Sequence, residues 1–202
     1  MTVFLALGAC TESPEKLPSV KPADQTQQTK PAANAEMPVA SNTNSFCTTE
    51  ETIIFTCQSG TKQVSVCASR TLSPTAGYVQ YRFGSTGSGA TGKAGAPLEI
   101  AHPAGQVHPL KAAYGAGVMF SGGGGAWLRF RNPPYAYVVY SGIGRWGPNG
   151  EPAAKEGLVV EKDGNAVAHL KCNGNSIGEL GPDWLEKAGY TANSNEQFDF
   201  PD

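Results

Sequence analysis

From Phe46 onward, apolar residues recur mainly at every second position, in short runs broken by Gly, Pro, Asn and Asp. A period of two marks strands that turn one face to a core. Thr52–Cys57 and Lys62–Cys67 flank Gln58-Ser59-Gly60-Thr61 and predict a hairpin. A two-residue turn at Gly60-Thr61 pairs Cys57 with Val64 and Phe55 with Val66. It sets Ile53, Phe55 and Cys57 on the face of Val64 and Val66, with Cys67 on the other face beside Gln63 and Ser65. Tyr78–Phe83 sets Val79, Tyr81 and Phe83 against Tyr78, Gln80 and Arg82; Leu98–Ile100 and Val118–Phe120 are shorter candidates. Ala126–Arg131 places Leu128 and Phe130 on one face and Trp127, Arg129 and Arg131 on the other, and joins Tyr135–Tyr140 through Asn132-Pro133-Pro134. Gly157–Lys162 and Ala166–Lys171 flank Asp163-Gly164-Asn165, a strong hairpin turn. Within Gly181–Gly189 one short helix is expected, with Pro182 in its first turn, Asp183 at its positive end and Gly189 as its stop. The predicted fold is mostly β: an antiparallel sandwich or barrel of about eight or nine strands with one short C-terminal helix.

Before Phe46 the pattern disappears. Thr11–Ser45 is rich in Pro, Ala, Thr, Gln and Asn, has no aromatic residue, and spaces Leu17, Val20, Met37 and Val39 without a period. Such a segment buries too little surface to offset chain entropy and is expected to be disordered. At roughly 35 residues its r.m.s. span is about 30–35 Å. Ahead of it, Leu7-Gly8-Ala9-Cys10 resembles the lipobox of bacterial lipoproteins. The resemblance implies a leader over residues 1–9, removed on export, and lipid attachment at Cys10. Residues 10–45 then form a tether and 46–202 a globular head. The apolar leader is short and has no Lys or Arg, so its start is expected upstream of Met1. Thr11, rather than Asp, at the second mature position implies the outer membrane, with the head in the periplasm or at the cell surface. Several acyl chains at about 0.8 kcal/mol per buried methylene give a stable anchor.

Composition narrows the function. The 25 Gly and 15 Pro among 202 residues exclude a long helical bundle. A net charge of −2 with 16% charged residues argues against a nucleic-acid partner. Mean hydropathy is −0.28, and no apolar run approaches the ~18 residues of a spanning helix.

The head holds Cys47, Cys57, Cys67 and Cys172, an even set that reads as disulfides in an oxidising compartment. Cys57 points inward and is expected to meet Cys172, closing the first strand onto the last. Cys67, on the opposite face, is expected to meet Cys47. No C-x-x-C spacing supports a zinc site, and only His169 lies near a Cys.

Candidate chemistry is sparse. Gly87-Ser-Gly-Ala-Thr-Gly-Lys93 has phosphate-loop spacing, but Ala94 replaces the Ser or Thr that would hold magnesium, and Ala94-Gly-Ala-Pro97 cannot start a helix. It reads as a loop; no nucleotide and no other cofactor is expected. Ser121-Gly-Gly-Gly-Gly125 lacks a nucleophile elbow and reads as close backbone packing, with a ligand-facing loop as the alternative. His102, His108 and His169 form no metal pattern, and a catalytic triad would need contacts that spacing does not reveal.

The most distinctive feature is aromatic and cationic: Tyr135, Tyr137, Trp127, Arg129, Arg131, Arg145 and Trp146, the last two expected in a long Gly-rich loop over Ser141–Gly150. Trp127, Arg129, Arg131, Arg145 and Trp146 form a candidate binding surface for a protein or glycan partner. The alternative is that the Trp and Tyr residues pack the second face of the sheet. Ser141-Gly142, Trp146 and Lys155-Glu156-Gly157 resemble, in order, the inhibitory loop of the membrane-bound inhibitors of c-type lysozyme, without the Tyr that follows Ser-Gly in that family and with Glu156 between Lys and Gly. That resemblance implies an antiparallel barrel that blocks the lysozyme cleft. More broadly, the head resembles secreted lipoprotein domains. The sequence therefore predicts an outer-membrane lipoprotein that acts by binding, with a lysozyme inhibitor and a periplasmic hydrolase as alternatives.

Overall fold

The computed structural model describes residues 45–86, 98–191 and 196–202. The lipobox, the tether through residue 44 and the Gly87–Lys93 loop lie outside the described residues. Among the described residues nine strands form two antiparallel meanders. The first sheet runs β1 (Glu51–Ser59), β2 (Lys62–Ser69), β3 (Val79–Ser85) and β4 (Leu98–His102). The second runs β5 (Tyr114–Phe120), β6 (Gly123–Asn132), β7 (Tyr135–Gly144), β8 (Ala153–Lys162) and β9 (Asn165–Lys171). Two short helices, α1 (Pro109–Ala112) and α2 (Pro182–Lys187), complete it. The sequence predicts α2 and misses α1, a single turn opened by His108 and Pro109 between the two sheets. Among the described residues no helix is long and apolar enough to cross a membrane.

The sheets face each other across one apolar cluster. The first contributes Phe55, Val64, Val66, Val79 and Tyr81, and the second contributes Leu128, Phe130, Tyr137, Val139 and Leu158. Tyr81 of β3 stacks on Tyr137 of β7 with ring centroids 4.8 Å apart, so the two inner faces interdigitate as in a sandwich. Trp184 and Leu185 of α2 join the same cluster, and α2 packs against β5 and β6.

The hairpin register at Gly60-Thr61 is the expected one, with Cys57 opposite Val64 and Phe55 opposite Val66. Ile53 is different. A bulge between Ile53 and Phe55 shifts the register, so Ile54, 0% exposed, enters the core beside Phe55 while Ile53 stays partly exposed. One extra residue in a strand inverts the alternation on its far side.

Disulfides join Cys47 to Cys67 and Cys57 to Cys172, the partners that the opposite faces of Cys57 and Cys67 select. Cys57–Cys172 ties β1 of the first sheet to the chain leaving β9 of the second. Beyond it the chain runs along the free edge of β1. Asn173 N donates to Gln58 O (2.7 Å), Thr56 and Ile177 exchange bonds of 2.7 and 2.9 Å, and Leu180 N donates to Ile54 O (2.8 Å). These bonds cover an edge that would otherwise template pairing with another chain.

The outer face of the first sheet is a buried polar layer. Gln63 Nε2 donates to Thr56 Oγ1 (2.7 Å), and Ser65 Oγ accepts from Phe46 N (3.0 Å). Arg82 grips both oxygens of Glu51 at 2.7 Å, and Tyr78 Oη donates to the same carboxylate. Burial pushes the Glu51 carboxyl up, but Arg82, the Thr48 N–H and Tyr78 together outweigh it and hold the group below its ordinary 4.5.

Two predictions follow from these ties. Replacing Cys57 and Cys172 together by Ala should cost about 1.5 kcal/mol more in urea unfolding than replacing Cys47 and Cys67, because loop-closure entropy grows with the logarithm of loop length and the bonded residues are 115 and 20 apart. Equal or inverted losses would show that loop length does not set their relative worth. A depressed folded-state pKa stabilises above the unfolded value and ceases to do so as pH falls through the folded value. Glu51→Gln should therefore cost about 3 kcal/mol at neutral pH by leaving Arg82 unpaired. In thermal melts its deficit against the unaltered chain should shrink below pH 4.5.

Candidate recognition face

The second sheet is apolar on both sides. Facing away from the sandwich core, β6, β7 and β8 bury Trp127, Val138, Tyr140 and Val159 in a second cluster. The register explains it: Trp127 sits opposite Tyr140, and Arg129 opposite Val138, one residue out of step with inward-facing Leu128 and Phe130. The expected two-sided split of β6 is thus present.

The chain's own C-terminus covers this face. Residues 196–202 cross it as a strap in which Glu196, Phe198 and Phe200 are partly buried and Gln197 and Asp199 are exposed, an alternation of period two. Phe198 lies 6.0 Å from Trp127 and 5.5 Å from Tyr140 between ring centroids. Phe200 lies 5.3 Å from Tyr140, 4.9 Å from Phe120 and 6.0 Å from Trp146. These separations fall in the range where aromatic pairs attract.

Cations hold both ends of the strap. Arg129 donates to Glu196 (2.8 Å), to both oxygens of Glu161 (3.0 Å each) and to the Gln197 carbonyl (3.2 Å). Arg131 donates to the other Glu196 oxygen at 2.6 Å. Burial disfavours the Arg129 cation, but Glu196 and Glu161 more than offset it and raise its pKa. Its guanidinium also lies 5.1 Å over the Trp127 ring. At the far end Lys155 pairs with Asp202 at 3.1 Å and stands 5.1 Å over the Trp146 ring.

Glycine makes the seat. Gly125 and Gly142 are partners across β6 and β7. A Cβ on Gly142 would meet the Phe200 ring at 2.8 Å, and one on Gly125 would meet it at 3.0 Å. The ring lies directly on sheet backbone. The Ser121–Gly125 run is therefore the β5–β6 turn and the start of β6, and its glycine serves close packing, as one of the two sequence readings holds.

A cavity flanks each end of the strap. One of about 390 Å³ is lined by Arg129, Arg131, Tyr135, Glu161 and Asp163. The other, about 550 Å³, is lined by Trp146, Lys155, Glu156, Lys171 and Asn175, with Pro201 and Asp202 at its mouth. Glu156 is committed there: it accepts from Ser141 Oγ (2.9 Å), Ser176 Oγ (2.8 Å) and Ser176 N. Tyr140 beside it has its pKa raised by burial and then by the Glu156 charge, so its hydroxyl stays neutral.

Four of the five expected surface residues, Trp127, Arg129, Arg131 and Trp146, meet the strap, and they divide in role. Trp127 is 1% exposed, and Arg129 is locked in ion pairs; both are parts of the face under the strap. Arg131 is exposed and Trp146 is half-buried, and these two lie at its margins, whereas exposed Arg145 lies at the β5–β6 turn, its backbone N–H donating to Ser121 O (3.0 Å). Of the tyrosines, Tyr137 turns to the sandwich core and Tyr135 is exposed at the hairpin end. Ser141-Gly142 and Lys155-Glu156-Gly157 lie inside the paired strands β7 and β8, with Gly142 opposite Lys155, not on a projecting loop. The histidines sit on separate elements: His102 ends β4, His108 accepts from Leu110 N at the start of α1, and His169 is exposed on β9. Sequence reasoning missed Glu196, Phe198, Phe200 and Asp202. The signal was present: two Phe two residues apart, flanked by carboxylates, in the last seven residues.

Comparison of the chain with family models, curated proteins and solved structures found no match.

Gly142→Ala should lift Phe200 from its seat. The expected result is greater acrylamide quenching of Trp146 fluorescence and a stability loss of about 1–2 kcal/mol. Gly105→Ala, where an added Cβ meets nothing within 4 Å, should change neither.

Proposed function

We propose that this chain is a lipid-anchored protein of the bacterial cell envelope, attached to the outer membrane through Cys10, whose β head binds a partner without catalysing a reaction. The lipobox-like Leu7–Cys10 and the aperiodic segment after it support the anchor and tether. The observation that carries the binding reading is the outer face of the second sheet: an aromatic trough with Arg131, Trp146 and Lys155 at its margins and a cavity at each end. Aromatic and Arg side chains together are the composition favoured where binding energy concentrates. A protein segment or a glycan presents the apolar faces and anionic or hydroxyl groups that such a trough matches.

The test uses the full-length chain. Metabolic labelling with palmitate should mark the unaltered protein and fail for Cys10→Ser, which should move to the soluble fraction. Capture of partner from detergent-extracted envelope should fall by about tenfold or more when Arg131, Arg145 and Trp146 are replaced by Ala. Undiminished capture by this triple variant would show that the surface lies elsewhere. Trp127 and Arg129 are unsuited to such a test because both are structural.

A further inference from the structure

We infer that the outer face of the second sheet is a recognition groove for an extended segment of a partner protein, one carrying two Phe residues two apart with a carboxylate at each end, and that residues 196–202 occupy this groove in cis. The inference rests on the binding reading above and names the chemistry of its partner.

The strap's attachment supports this. Among the described residues it forms no strand with the sheet, and side chains make most of the contacts that hold it: two rings in the trough, Glu196 on Arg129 and Arg131, and Asp202 on Lys155. The Gln197 carbonyl adds a backbone contact by accepting from Arg129 Nη2. What the face reads is therefore a spacing of two rings and a charge at either end, and any extended chain with that pattern presents the same groups.

The face is also built for a ring that arrives rather than for one fused into the core. Gly125 and Gly142 leave bare backbone under Phe200. The sandwich cluster and the strap cluster share no buried residue, so the sandwich core is complete without the strap. The 550 Å³ cavity lies beside Pro201 and Asp202, with Lys155, Glu156 and Lys171 in its lining. An open trough of this kind would expose Trp127, Tyr140 and Val138 to water, which gives the chain a physical reason to close it when no partner is present. A tethered competitor acts at an effective concentration of about millimolar. The cis strap thus sets a threshold that a partner must exceed.

The experiment uses the full-length chain with Phe198→Ala and Phe200→Ala, titrated with the synthetic peptide Glu-Gln-Phe-Asp-Phe-Pro-Asp and followed by Trp fluorescence. Saturable binding is expected, with the unaltered chain at least about tenfold weaker. A peptide with both Phe replaced by Ala should bind neither. Adding Gly142→Ala to the double variant should abolish peptide binding by filling the ring's seat. No saturable binding to a double variant that keeps its near-UV circular dichroism overturns the inference. Equal affinity for the unaltered chain overturns the cis occupancy. A double variant that loses cooperative unfolding shows the strap to be part of the fold and overturns it as well. Sedimentation should show a monomer; a dimer of the unaltered chain that the double variant cannot form would mean that straps exchange between copies, and would overturn the assignment to a partner protein. Absent peptide binding with envelope capture still dependent on Arg131, Arg145 and Trp146 sinks this inference alone. Peptide binding without that dependence sinks the broader binding reading instead.

Discussion

A sheet with large apolar side chains on both faces must be covered twice, and the second sheet of this protein is such a sheet. Leu128, Phe130, Val139 and Leu158 face the first sheet, while Trp127, Val138, Tyr140 and Val159 face away from it. The sandwich supplies one cover. The other comes from the last seven residues of the chain, which bring two aromatic rings and two carboxylates to a face that has aromatic rings and cations. At roughly 25 cal/mol per Å² of apolar surface, leaving even two or three large side chains of this face in water would cost several kcal/mol. That is a sizeable share of the stability of an ordinary domain.

The first sheet solves the same problem differently. Its outer face is polar and buried, and the groups there satisfy one another: Glu51 with Arg82, Tyr78 and Thr48; Thr56 with Ser65 and Gln63. Cys47–Cys67 pins the entering chain over that layer, and the segment after Cys172 closes the edge of β1. This side is internally complete. The second sheet's outer face is completed by residues 196–202, a segment held by side chains and not by a strand ladder. This asymmetry is the physical difference between the two outer faces, and the proposed recognition role is placed on the second for that reason.

The electrostatics divide along the same line. The Glu51–Arg82 pair is buried and tied to backbone through Thr48 and Phe46, so it anchors structure. The pairs on the strap are graded: Arg129 is deep and shared between Glu161 and Glu196, whereas Arg131 and Lys155 meet their carboxylates nearer to solvent. Exposed pairs contribute little to stability and much to orientation.

Much of this was legible along the chain. Period-two alternation located the strands, the Gly60-Thr61 turn set the first hairpin's register, and the face parity of Cys57 and Cys67 chose both disulfides. The split of β6 into Leu128 and Phe130 against Trp127 and Arg129 was equally plain. Alternation is a local property, dictated by the pleat, so the sequence alone determines it. It does not say what covers each face. Whether Trp127 and Arg129 meet solvent, a partner or the chain's own Phe198 and Glu196 depends on residues nearly seventy positions away. The bulge that turns Ile54 inward is likewise a compromise among neighbouring strands. Those choices belong to the tertiary structure, because burial is settled between segments and not within one.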